Sequence, residues 1–232
     1  MLLIAHRGGT DQHPELTLES AACSLSIGAS YAELDIRFTL DNVPVISHDA
    51  DALRLYGVNM HIDAMTAEQF AAMRHIDHPH CRAHTLAEVL ESGIGPILFH
   101  VKEGGAQLDA ILQLVRHYDY ERRVVMGVTK LGDVERVKAF NGDIAVLAFM
   151  ESKPMLDTFL RSPADIVRLW EGWLEPDDVA RVHAAGKRLW VMSGAAEHGT
   201  EGYPGEGSLA LWKRLGVDGV LIDKVEAGLA YR

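Results

Sequence analysis

Within the first fifty residues, two histidines, two carboxylates spaced two apart and an arginine each stand at or beside the end of a short apolar run. His6 and Arg7 follow Leu2-Leu3-Ile4-Ala5 and lead into Gly8-Gly9. Glu33 and Asp35 lie in Ala32-Glu33-Leu34-Asp35-Ile36, and His48-Asp49 follows Val45-Ile46-Ser47. Chemistry on a phosphate ester needs groups of these kinds. On a strand Glu33 and Asp35 point to one face, and two buried carboxylates at that spacing repel each other. A divalent cation relieves the repulsion, and oxygen ligands favour Mg²⁺, Ca²⁺ or Mn²⁺. His6 and His48 can divide general-acid and general-base work near neutral pH. Asp49 could orient the His48 ring through Nδ1 or simply cap the next turn. Arg7 offers a planar fork that matches phosphate, and the two glycines let backbone approach a ligand. Taken singly, each feature has a plainer explanation: carboxylates at a strand end, a histidine satisfied in the core.

The elements that must position these groups alternate along the whole chain. Strands are expected at Leu2–Ala5, Tyr31–Asp35, Pro96–Val101, Val124–Val128, Ile144–Phe149, Ile166–Leu169, Arg188–Met192 and Gly219–Ile222. Helical segments are expected at Thr17–Ile27, Thr85–Glu91, Gln107–His117, Leu131–Phe140, Pro154–Leu160, Pro176–Ala185 and Ser208–Leu215. Eight strand–helix units in 232 residues predict an α/β fold, a (β/α)₈ TIM barrel formed by residues 1–232 as one domain. No Gly-x-Gly-x-x-Gly follows the first strand, which weakens a dinucleotide-binding reading. The rhythm breaks after His48. Residues 50–84 show no clear alternation beyond a short helix within Met65–Met73 capped by Thr66, and read as a small insertion at the C-terminal face of the barrel, where substrate loops sit. The glycine-rich stretch 195–207 reads as a mobile loop at the mouth. A net charge of −11 argues against nucleic-acid binding through a basic surface, so positive charge for an anionic substrate must be local. Cys23 and Cys81 form no disulfide framework, no run is long enough for stable membrane insertion, and the first residues read as a strand rather than a signal, so a cytoplasmic location is expected. The oligomeric state is not legible.

In order and spacing, His6-Arg7-Gly8, Pro14-Glu15-Leu16-Thr17, Glu33-Leu34-Asp35, Thr39-Leu40-Asp41 and His48-Asp49 resemble the glycerophosphodiester phosphodiesterase family. Arg82–Leu90 and Gly216–Val220 extend the resemblance more weakly over the rest of the chain. The resemblance implies a TIM barrel, a small-molecule phosphodiester substrate, and hydrolysis of glycerophosphodiesters to an alcohol and glycerol 3-phosphate. It implies His6 and His48 as the acid/base pair, Glu33 and Asp35 on a divalent metal (Mg²⁺ or Ca²⁺), and Arg7 and Lys102 on the phosphate. Trp170 falls where the family often has an aromatic lining the site.

Departures from the family pattern are equally specific. Leu16 stands where the family has Asn, which removes a polar group beside the His-Arg-Gly loop and predicts a looser loop. His100 stands where the family's third strand carries a glutamate, the third metal ligand. Imidazole suits Zn²⁺ or Mn²⁺ better than Ca²⁺. Three outcomes stay open: a softer metal, the usual metal held more weakly, or no efficient use of a bound metal. Glu103, beside Lys102, should point away. Met192-Ser193 replaces the family's Trp-Thr, and the histidines at 75, 78, 80 and 84 with Cys81 match no standard zinc spacing. Two alternatives therefore accompany the main expectation: a phospholipase D-like phosphodiesterase acting on another alcohol, and a degenerate barrel that binds a phosphorylated metabolite without turnover.

Overall fold

Short β-branched runs separated by capped helices close on themselves in the computed structural model, which describes residues 1–232 apart from the Glu197 side chain. The strands are β1 (Leu2–Ala5), β2 (Tyr31–Phe38), β3 (Ile97–Val101), β4 (Val124–Val128), β5 (Ala145–Phe149), β6 (Ile166–Trp170), β7 (Arg188–Met192) and β8 (Gly219–Ile222). Each pairs in parallel with its sequence neighbours, and β8 and β2 both pair with β1, so the sheet is a closed eight-stranded barrel. The expected TIM fold is present, with the expected strands shifted by at most a residue or so at most ends. The exception is β2, which runs on to Phe38 because its last turn pairs antiparallel with Pro44–Ile46, Ile36 opposite Ile46 and Phe38 opposite Pro44.

Local chemistry sets the helix starts. Thr17, Thr66 and Thr85 each accept from the backbone three residues on, and Ser20, Gln69 and Glu88 answer with a reciprocal bond, completing capping boxes. Between 50 and 84 the chain forms an antiparallel pair, Asp51–Ala52 with Val58–His61, around a short helix Leu53–Tyr56. Val58–His61 is exposed along its whole length, and its alternation, Val58 and Met60 against Asn59 and His61, runs for only four residues, too short to announce a strand.

Two apolar layers hold the barrel. The outer one lies between strands and helices; the inner one is built from lumen-facing residues, among them Ile4, Leu98, Leu147, Ile166, Trp190 and Leu221. Period-two alternation along each strand means that residues two positions beyond this layer also face the lumen, nearer its C-terminal mouth. His6, Glu33, His100 and Arg168 gain their positions in this way, and Asp35 follows on the same face two residues further along β2. No helix among the described residues is long and apolar enough to cross a membrane.

Candidate active site

A cavity of about 240 Å³ opens at the C-terminal mouth. The eight residues expected from the sequence, His6, Arg7, Glu33, Asp35, His48, His100, Lys102 and Trp170, all line it. They come from four different barrel strands and the loop that follows Pro44–Ile46.

The turn after β1 does more than present two side chains. Arg7 adopts a left-handed conformation (φ 50°), costly for a side-chain-bearing residue, by about 1 kcal/mol. In return its N–H donates to Glu33 Oε2 at 2.7 Å. Gly8 and Gly9 also have positive φ (83° each), and a Cβ on either would sit within 2.5 Å of Ser20 Oγ or Ser24 Oγ respectively. These glycines therefore allow the turn to pack onto the helix Leu18–Ile27 (the close approach expected toward a ligand is made to protein). Leu16 packs beside this turn. It is buried at a left-handed φ of 59°, and its N–H donates to Arg7 O at 2.7 Å. The loop is tied here through backbone and core packing.

Both histidines are oriented by a carboxylate. His6 Nδ1 lies 2.7 Å from Asp223 Oδ1, and His48 Nδ1 lies 2.8 Å from Asp49 Oδ1. Each ring thus presents Nε2. Burial works against charge on His6, but the hydrogen bond to Asp223 and the charges of Glu33 and Asp223 outweigh it and raise its pKa. Arg7 Nη2 donates to His48 Nε2 at 3.0 Å, while Nη1 donates to Glu15 at 2.9 Å. The fork expected to be free for phosphate is therefore engaged by protein. Arg54, from the 50–84 segment, braces this network by donating to Asp49 at 2.6 Å and to Glu15.

Glu33 and Asp35 are fully buried, and His100 joins them from β3, paired in register with Asp35. One ligand atom from each of the three lies within 4.8 Å of the others, the arrangement a cation would need. Burial, then the neighbouring Asp35 charge, pushes Glu33 up to about 7. Asp35 goes the other way: burial opposes its ionisation, but Lys102 and His100 hold it well below the usual carboxylate range. Burial and the Lys102 charge push His100 down to about 4, so its ring is neutral and can offer a lone pair. Lys102 Nζ stands 2.7 Å from Asp35 Oδ1 and 3.0 Å from His100 Nδ1. His100 Nδ1 is also 2.9 Å from Asp35 Oδ1. Neither contact to Oδ1 has hydrogen-bond alignment, and Oδ2 has no partner. Two buried carboxylates, one unsatisfied and the other reluctant to ionise, beside a neutral imidazole, fit a divalent cation.

His100 is held from its other side by Phe149, whose ring stacks on it at 3.9 Å and 13°. Gly127 makes room for that ring, since a Cβ there would fall 2.3 Å from Phe149 Cε2. Glu103 turns outward to Arg37, as expected. His75, His78 and His80 tilt against one another at 5.2 and 5.9 Å between ring centres, but Glu33, Asp35 and His100 are the metal-competent group among the described residues. Glu171 accepts from the N–H groups of Gly194 and Gly205, which ties both ends of the glycine-rich mouth loop.

Sequence reasoning missed Asp223, Phe149 and Arg168. Arg168 was findable: it is the charged residue in the run Ile166-Val167-Arg168-Leu169-Trp170, and alternation puts it on the face of Trp170. Asp223 lies 217 residues from its partner His6, and no local pattern joins them.

Comparison with known proteins places this geometry. The lysophospholipase D GDPD1 of Rattus norvegicus is 30% identical over 157 residues, covering 62% of this chain and 50% of that protein. Glycerophosphodiester phosphodiesterase 1 of Rattus norvegicus is 52% identical over 46 residues, or 20% of this chain and 14% of that protein. The chain thus spans about half the length of the GDPD1 relatives it matches. Among solved structures, a glycerophosphodiester phosphodiesterase from Thermotoga maritima aligns with a TM-score of 0.78 at 20% identity, over 100% of this chain and 98% of that one. An Oleispira antarctica phosphodiesterase in complex with the product sn-glycerol-3-phosphate gives 0.81 at 18%, over 100% and 96%. At such identities the structural likeness is one of fold. A family model, however, matches residues 6–149, more than half of the chain and the stretch that carries both histidines, Glu33, Asp35, His100 and Lys102. The chain belongs to the glycerophosphoryl diester phosphodiesterase family.

Proposed function

We propose that this protein is a metal-dependent phosphodiesterase that hydrolyses glycerophosphodiesters to an alcohol and glycerol 3-phosphate, with residues 1–232 acting as one domain and 50–84 as an insertion at its C-terminal face. One observation carries the reading: two histidines, each backed by an aspartate at Nδ1, turn Nε2 toward a cavity that also holds the Glu33–Asp35–His100 cluster.

Their surroundings suggest a division of labour. His48 Nε2 accepts from Arg7, so its lone pair is there and the ring serves as base, taking the proton of the glycerol 2-hydroxyl. That oxygen attacks phosphorus, the bond to the departing alcohol breaks, and His6, kept protonated by Asp223, gives its proton to the leaving oxygen. The cyclic phosphate so formed is opened by water with the two roles reversed. Glu33, Asp35 and His100 would hold the metal, which when bound neutralises a phosphoryl oxygen and orients the hydroxyl. The donor set accommodates Mg²⁺ or Ca²⁺ through its carboxylates and Mn²⁺ or Zn²⁺ through its imidazole. Lys102 adds positive charge beside the phosphoryl position.

The test is release of glycerol 3-phosphate from glycerophosphocholine with Mg²⁺, Ca²⁺, Mn²⁺ or Zn²⁺ supplied. His6→Ala and His48→Ala should each abolish it. No release by the wild type with any of the four ions overturns the substrate assignment, and tight phosphate-ester binding without turnover would identify a binding barrel instead.

A second reading has its own observation. A neighbouring cavity of about 180 Å³, lined by Trp170, Trp173 and Ala196, continues from the first across Trp170. It offers apolar surface to an acyl chain on the glycerol half, as in a lysophospholipid. Faster turnover of lysophosphatidylcholine than of glycerophosphocholine would favour this reading.

A further inference from the structure

On the wall of the cavity formed by β6, Arg168 points its guanidinium into the barrel. The residue is only 5% exposed. Its guanidinium carbon lies 4.6 Å from the Trp170 ring, 5.1 Å from Phe149 and 5.9 Å from Trp173, so aromatic faces surround it. Nε and Nη1 are buried with no hydrogen-bond partner, and among the described residues no carboxylate pairs with it; Glu33, the one acid whose charge acts on it, lies beyond ion-pair range. Burial lowers its pKa to about 9, which still leaves it charged at neutral pH.

A buried unpaired cation is strongly destabilising, and a hydrocarbon of similar size would fill the same space at less cost. The other fixed cations of the cavity already have protein anions: Arg7 has Glu15, and Lys102 has Asp35. We propose that Arg168 is a substrate-binding residue, a preformed receptor for an oxyanion of the substrate, set across the barrel from the Glu33–Asp35–His100 cluster. Aromatic rings fix the faces of the guanidinium and leave its N–H edge for the ligand, the geometry in which arginine takes two oxygens at once. The inference rests on the phosphodiesterase reading for the identity of the substrate. The oxyanion is either the scissile phosphoryl group or a second acidic group on the departing alcohol.

Calorimetric titration of wild type, Arg168→Lys and Arg168→Gln with inorganic phosphate and with glycerol 3-phosphate, with metal and with chelator, tests the receptor without requiring turnover. A binding enzyme that fails to hydrolyse diesters would overturn the activity and leave the receptor standing. Arg168→Gln should weaken one or both ligands about 10- to 100-fold, the value of a charge-assisted bond, and Arg168→Lys should fall between because it cannot fork. Should the glutamine variant fail to fold, the lysine variant decides by the same comparison. Relative kcat/KM on diesters of choline, glycerol and serine then separates the sources. A uniform fall assigns the scissile phosphoryl group, and a fall confined to the serine diester assigns a second acidic group. Unchanged affinities in a folded variant, or no binding of either ligand by the wild type, overturns the proposal.

Discussion

Gly127→Ala is a one-carbon perturbation whose effect can be worked from the packing around His100. The added Cβ would lie 2.3 and 2.7 Å from two carbons of the Phe149 ring and 3.1 Å from Phe99 O. Carbon atoms in contact sit about 3.5–4.0 Å apart, so the ring must retreat by about 1 Å. Its other neighbours resist, because His100 stacks on it at 3.9 Å and the Arg168 guanidinium stands 5.1 Å from its centre. Overpacking of this kind costs about 1–3 kcal/mol. The loss of unfolded-state freedom on replacing glycine returns about 0.4–1 kcal/mol. A net loss of about 1–2 kcal/mol should lower Tm by roughly 2–8 °C for a chain of this size. The displaced ring no longer orients His100, so affinity for Zn²⁺ or Mn²⁺ should fall about tenfold. Urea unfolding and metal titration of Gly127→Ala, Phe149→Ala and the double variant form a cycle. Without the ring only the 3.1 Å approach to Phe99 O remains, so the glycine substitution should cost much less in the Phe149→Ala background, a coupling of about 1–2 kcal/mol. An equal cost in both backgrounds would show that the ring is not what Gly127 accommodates, and the account of how His100 is held would fall with it.

Two further outcomes follow from the charges. The raised pKa of Glu33 (from 4.5 to about 7) means the folded protein keeps a proton that the unfolded chain releases, so this contribution to stability is complete below about pH 4.5 and disappears as pH rises through about 7. The loss is at most about 3 kcal/mol; unfolding in chelator should show it between about pH 5 and pH 8, and saturating divalent cation should remove it. Stability in chelator that is flat or rising over that range contradicts an unfavourably buried carboxylate pair. Asp223→Asn should lower kcat by about 10²–10⁴ with little change in Tm, and should move the alkaline limb of the pH–rate profile to lower pH, because His6 loses the anion that keeps it protonated. An unmoved limb would take His6 out of the acid role.

How much of this was legible in the sequence depends on the range over which each feature is encoded. Glu33 and Asp35 could be placed together because strand alternation is local, and Thr17, Thr66 and Thr85 announce their helices within four residues. The extension of β2 to Phe38 was not visible, since it depends on pairing with Pro44–Ile46, a contact made beyond the barrel rim. Gly8 and Gly9 could be marked as positions of close approach, but their approach to the helix Leu18–Ile27 was not legible, because the facing helix is known only once the turn is folded. The arginine fork and the lysine of the expected phosphate site do line the cavity, but their surroundings were not legible: Glu15, His48 and Asp35 engage them within the protein.

The same bookkeeping of partners explains why His100 and Arg168 belong in one argument. With Glu33 and Asp35 ionised, a divalent cation cancels both, and a glutamate at position 100 would leave the cluster negative. The neutral imidazole leaves it balanced. Lys102 and Arg168 then remain as positive charge facing the cavity, while a diester brings a single negative charge and the phosphomonoester product brings about two. A cavity charged in this way favours the more anionic ligand. Three further acids, Glu15, Asp49 and Asp223, stand behind Arg7, His48 and His6, where they orient cations and rings without meeting the phosphoryl oxygens themselves, and Glu201, which does line the cavity, belongs to the loop at its mouth. On this distribution, exchanging His100 for glutamate and exchanging Arg168 for a neutral residue shift the balance in the same direction, and both should weaken retention of glycerol 3-phosphate relative to its neutral-alcohol diesters.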